Sequence, residues 1–249
     1  MTPDVLVLDT EDPLAVTAVE AIRAGDVAAL RRLLDEQPGL ATARLVEHDG
    51  GMSRTLLHVV TDWPGHYPNG AATVAALVQA GAEVDARFTG PHSETPLHWA
   101  ASSNDVAVLD ALLDAGAQID ALGAVIGGGT PLDDATAFAQ WETARRLVER
   151  GARTTLWHAA TLGILDRLEA YFTGPSRPAP AEVSGAFWGA CHGGRQRAAQ
   201  FLLDHGAGLN WVPDWENLTP LDAATRSEAT DVVEWLRACG AKTAVELGR

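Results

Sequence analysis

Two side chains in this chain could carry proton chemistry. Asp134 and His158 each directly precede an alanine in a Leu- and Ala-rich stretch. An Asp next to a His orients the imidazole or tunes its acidity, and the imidazole then serves as general acid or base. Trp99, Trp188, Trp211 and Trp215 could hold an apolar or cationic substrate beside such a pair, by stacking or cation–π contact. The reaction type would be proton transfer, as in an isomerisation, a cyclisation or a hydrolysis. Other catalytic patterns are missing. There is no H-E-x-x-H and no Cys/His set at zinc spacing, so neither a metal nor a cofactor is expected. Gly127-Gly128-Gly129-Thr130 precedes a helix start, where an anion could sit. It lacks the spacing and the lysine of a phosphate loop and reads as a turn. Cys191 and His192 are sequence neighbours, which do not face each other on a helix.

Composition narrows the function classes. The chain has 249 residues, 47% hydrophobic and 20% charged, enough to build a core. Its 33 acidic residues outweigh 18 basic ones, for a formal net charge of −15. Such a surface repels phosphate backbones and anionic lipids, so neither nucleic acid nor membrane is an expected partner. A basic protein or a small ligand remains open. Two cysteines, Cys191 and Cys239, make no disulfide scaffold and suit a reducing, cytoplasmic location. Residues 1–11 carry no positive region followed by an apolar one, so no signal peptide is read. No stretch approaches the ~20 apolar residues of a membrane span. Lys242 is the single lysine, and with the heavy alanine usage this suggests a GC-rich bacterial gene.

Internal repetition sets the architecture. Thr95-Pro96-Leu97-His98-Trp99-Ala100-Ala101 recurs as Thr130-Pro131-Leu132-Asp133-Asp134-Ala135 and as Thr219-Pro220-Leu221-Asp222-Ala223-Ala224. Weaker copies start at Thr55 and Thr154, and the weakest are around Ala186 and Val19. A second element follows, as in Leu112-Leu113-Asp114-Ala115-Gly116-Ala117 and Leu202-Leu203-Asp204-His205-Gly206-Ala207. The period is about 34 residues. Threonine caps the first helix, and proline fits its first turn. Leucine and the alanine pair form one apolar face, and glycine ends the second helix in a left-handed conformation. The pattern resembles the ankyrin repeat, with its TPLHxA signature and LLxxGA helix end. That resemblance implies an all-α solenoid of stacked helix-turn-helix units joined by finger loops, with about seven repeats over residues 12–249. Residues 1–11 read as a tail or cap, and residues 62–70 as an insertion inside the second repeat.

The resemblance also implies a binding face, since the family binds through the concave side of its inner helices and fingers. The expected groove residues are the one before the alanine pair and two after it: Trp63, Trp99, Ser103, Asp134, Phe138, His158, Trp188 and His192. His92, Trp211 and Trp215 would overhang from the fingers. The sixth repeat has two possible registers. Packing readings stand beside these. His58 and His98 take the place of the family's internally bonded histidine. Trp157 and Trp188 could fill that same interior place, and Trp141 and Trp235 belong to outer helices. Two functions follow. One is a non-enzymatic module that binds a protein or peptide, with a basic partner favoured by charge. The other is a small-molecule site or acid/base enzyme using Asp134 and His158, for which His158→Ala would spare folding and abolish activity.

Overall fold

The computed structural model describes residues 5–48 and 51–249. The chain divides into two compact units, Met1–Ala152 and Arg153–Arg249. The first holds four helix pairs: α1 (Pro13–Ala24) with α2 (Val27–Glu36), α3 (Leu56–Thr61) with α4 (Gly70–Gln79), α5 (Pro96–Ser102) with α6 (Val106–Asp114), and α7 (Pro131–Ala137) with α8 (Trp141–Glu149). The second holds three: α9 (Leu156–Leu162) with α10 (Leu165–Thr173), α11 (Pro180–His192) with α12 (Gln196–Asp204), and α13 (Pro220–Arg226) with α14 (Thr230–Ala238). Within each unit the first helix of each pair packs on the first of the next, and the second on the second. Alanines explain the close inner stacking: Ala100, Ala101, Ala135, Ala159, Ala160 and Ala224 are all fully buried.

A small sheet lies outside the all-α expectation. β1 (Val7–Asp9) pairs in parallel with β2 (Arg44–Val46), which pairs antiparallel with β3 (Ser53–Arg54). Residues 7–9 are thus tied to the second repeat by backbone hydrogen bonds, while residues 1–4 of the expected tail or cap lie outside the described residues.

One local device starts five of the inner helices. The first threonine of the motif caps the helix, and the residue three positions on returns a bond to the threonine N–H. His58, His98, Asp133, His158 and Asp222 fill that third position. Thr95 N–H donates to His98 Nδ1 at 3.1 Å and Thr130 N–H to Asp133 Oδ2 at 2.7 Å. An imidazole that accepts at Nδ1 carries its proton on Nε2. The Nε2–H then reaches the next repeat, from His58 to the Glu94 carbonyl at 3.2 Å and from His98 to the Gly129 carbonyl at 3.4 Å. Burial holds both rings neutral, pushing His58 down to about 3 and His98 down to about 4.

The insertion is pinned rather than loose. The backbone N–H of His66 donates to Asp105 Oδ2 at 2.9 Å, and its ring Nε2 lies 2.9 Å from the Ser103 carbonyl. Asn69 Nδ2 donates to the Gly25 carbonyl at 2.9 Å. Gly65, at φ +73°, passes so close that a β-carbon there would meet Ser103 Oγ at 2.9 Å.

Removing the His98 ring breaks both the cap and the bond to the next repeat and opens a cavity. His98→Ala should lower stability by about 3 kcal/mol in chemical denaturation. His98→Asp should recover part of that loss, because Asp133 and Asp222 already perform the capping role.

Candidate functional site

Each unit has its own aromatic-lined cavity, and the expected site residues divide between them. In the first unit the end of α3 and the start of the insertion bring Thr61, Asp62 and Trp63 to one wall. Glu94 and Trp99 supply the floor, Ser102 and Ser103 the end of α5, and Val125 and Phe138 the far wall. The cavity is open to solvent on one side and has a volume of about 280 Å³. Trp99 is wedged between the His58 ring, edge-on at 4.9 Å, and Phe88 at 5.4 Å. Burial raises the Glu94 carboxyl above its ordinary range, and the neighbouring Trp99 indole N–H pulls the other way. Trp63 stands 79% exposed over the opening.

Asp134 is not in that lining. It sits under the finger and accepts from the Ile126 N–H at 3.3 Å through Oδ1, while its Oδ2 has no hydrogen-bond partner among the described residues. Burial, with Glu94 and Asp133 close by, pushes its carboxyl up to about 7, and the finger N–H groups of Ile126 and Val125 pull the other way. The glycine run is a finger turn: Gly127 and Gly128 have φ of +60° and +70°, and Gly128 N–H bonds the Ala124 carbonyl at 3.1 Å. His92 is exposed on its finger and outside the cavity lining.

The second unit carries a larger groove of about 940 Å³. The N-terminal ends of α9 and α11 form one side, with Tyr171 and the 176–178 loop. The finger carrying Trp211, Asp214 and Trp215 forms the other. Trp157 stacks on Trp188 with ring centres 5.8 Å apart and planes 22° apart. Trp215 stands edge-on to both at 6.3 Å, and Trp211 lies 5.6 Å from Trp215. The Arg226 guanidinium sits 5.5 Å over the Trp188 ring, a cation–π contact, and pairs with Glu216.

Registers explain which expected residues face these cavities. Trp188 Nε1–H donates to the Leu218 carbonyl at 3.0 Å, in the residue before the next capping threonine. The His58 and His98 rings reach the equivalent carbonyls, so Trp188 takes the interior histidine's place and the sixth register is resolved. That puts Gly185 at the threonine position, yet α11 begins five residues earlier at Pro180. The early start replaces a finger with helix and leaves room for the groove. Gly189 is needed where α11 passes α9: a β-carbon there would meet Thr161 Oγ1 at 2.5 Å and the Trp157 ring at 3.0 Å.

His158 is a correction to the expected groove stripe. It is 1% exposed, and the Thr155 N–H donates to its Nδ1 at 3.1 Å. The motif in the fifth repeat starts at Thr155 and not at Thr154, which moves the imidazole one position inward and puts Ala159 where Trp99 sits in the third. The ring is a cap, so its removal should cost stability, where the catalytic reading expects a change that spares folding. His192 is likewise interior, 4% exposed and packed against Trp188 at 5.6 Å, with its Nδ1 2.8 Å from Ser227 Oγ. Burial pushes the Cys191 thiol well above its ordinary range, which removes any nucleophilic role. Trp157, Tyr171 and Glu94 are lining residues that the motif positions did not indicate; starting the fifth repeat at Thr155 would have found the first.

Comparisons with known proteins agree with this architecture. The family of ankyrin repeats matches residues 65–157, as three copies. Among solved structures, the human ASB11 ankyrin repeat domain is similar, with a TM-score of 0.51 at 22% identity, covering 92% of this chain and 90% of that one. No curated protein sequence matches the chain.

Two substitutions probe this geometry. Asp134 binds a proton in the folded protein over a range where the unfolded chain does not, so its contribution to stability is lost as pH rises from about 4 to about 7. The melting-temperature advantage of Asp134→Asn over the parent should therefore grow across that window and level off above it. Gly189→Ala should cost about 1–3 kcal/mol and weaken the near-ultraviolet circular dichroism of the stacked indoles, since the new methyl displaces Trp157.

Proposed function

From the premise that residues 65–157 are ankyrin repeats in a chain of ankyrin-repeat fold, a generic protein-interaction module, we propose that this protein binds an extended segment of a partner protein in the tryptophan groove of its second unit. The observation that carries the proposal is the cluster of Trp157, Trp188, Trp211 and Trp215, whose rings contact one another beside an open groove. Rigid aromatic side chains make strong contacts at little entropic cost and dominate interface energetics. Trp215 is 59% exposed, which is costly for a large apolar ring with nothing to cover it. At about 940 Å³ the groove has room for several residues of an extended chain. Pro178 and Val212 extend that apolar wall, and Glu182 and Asp214 line the groove with a single arginine, Arg177.

Charge favours a partner segment with basic residues. The net charge of −15 raises the encounter rate with such a partner at low salt. Buried Cys191 and exposed Cys239 are both free thiols, consistent with action in a reducing compartment such as a bacterial cytoplasm. No helix among the described residues is long and apolar enough to cross a membrane.

Selection of a displayed peptide library on the full chain tests this reading. Enriched peptides should combine apolar and basic residues. Trp215→Ala should weaken them at least tenfold with only a small drop in melting temperature, because the ring is 59% exposed and keeps only edge contacts with its neighbours. Peptides that bind the variant equally well would refute the proposal, as would a selection no richer than its background.

A further inference from the structure

The cavity of the first unit has a composition different from the tryptophan groove. Its aromatic walls are Trp63, Trp99 and Phe138, and one carboxylate, Glu94, is set into its floor. Glu94 is 6% exposed, and among the described residues no arginine or lysine forms an ion pair with it. Asp62, on the opposite wall, is already paired with Arg54 at 3.0 Å. Asp134 lies near enough to Glu94 for the two to repel when charged, and exposed His92 faces Glu94 from the same finger. A buried carboxylate with no cationic partner is costly unless a cation is brought to it. Aromatic faces stabilise a positive charge placed against them.

We propose that this cavity is a binding site for an alkylammonium group, with Glu94 as counter-ion and Trp63, Trp99 and Phe138 as its aromatic walls. The volume of about 280 Å³ suits the head and stem of one such group and is small for a drug-sized ligand. Among the described residues no group of three or more His, Cys, Asp or Glu could hold a metal ion, so an organic cation is the better match. Trp63, 79% exposed at the start of a pinned insertion, closes over the cation from the solvent side.

The site is independent of the groove in the second unit, and its test uses probes that do not require that groove. The full chain is titrated with n-butylammonium chloride, and the indole N–H resonances are followed by NMR, with Trp63→Phe and Trp99→Phe assigning the two relevant signals. Both signals should shift in a saturable manner, and the neutral isostere n-butanol should leave them in place. Glu94→Gln, which keeps the shape of the side chain, should weaken binding about tenfold or more, and Trp63→Ala, at an exposed position, should weaken it several-fold without changing stability. A short neutral-capped peptide with one lysine distinguishes the source: tighter binding than n-butylammonium marks a partner's lysine, and weaker binding marks a free amine. Equal shifts with n-butanol, an unchanged affinity in Glu94→Gln, or no shift of either indole would overturn the proposal.

Discussion

The reciprocal cap at the start of the inner helices is the interaction on which the rest of the structure depends. A short helix cannot satisfy its first N–H groups by itself. Here the threonine side chain meets one of them, and the side chain three residues later returns a bond to the threonine's own N–H. When that side chain is histidine the ring has a second nitrogen to offer, and it reaches the carbonyl at the threshold of the following repeat. Capping and stacking are therefore one network, and burial keeps the ring in the neutral form the network requires. Asp222 achieves a related link, accepting from the Ala244 N–H at 2.8 Å as well as from its own threonine.

The same network positions the cavities. His58 holds the Glu94 carbonyl, and the Trp99 ring rests edge-on against His58. The floor of the first cavity is thus assembled from a cap and its neighbours. In the second unit the substitution of tryptophan for histidine at position 188 keeps the bond to the next repeat but brings in a much larger ring. Space for that ring is found by two local departures from the repeat: a glycine at 189, and a helix that begins early and replaces a finger. Both departures leave aromatic surface beside a groove.

Electrostatics separates the two cavities. In the first, the Glu94 carboxylate is pulled out of water beside aromatic rings, and its ordinary acidity is weakened as a result. In the second, the acidic residues are at the surface, and the one arginine over an indole is balanced by Glu216. A buried carboxylate selects for the charge of what enters, whereas exposed carboxylates mainly steer its approach.

Much of this was legible in the residues alone. Three Thr-Pro-Leu copies at a common period determine the helix pairs, and with them the structural roles of His58 and His98, because caps and apolar faces are local properties of a few adjacent residues. What the residues did not determine was register in the degenerate repeats. Where Pro is lost, Thr154 and Thr155 compete as caps, and a shift of one residue turns a side chain through about 100° on a helix. Only the packed structure decides between them, since the choice rests on which ring fits beside Trp188 and which nitrogen meets a backbone N–H. The partnership of Glu94 with Trp99, and the placing of Trp63 by the insertion, were likewise tertiary decisions, made by contacts between segments that no spacing in the sequence relates.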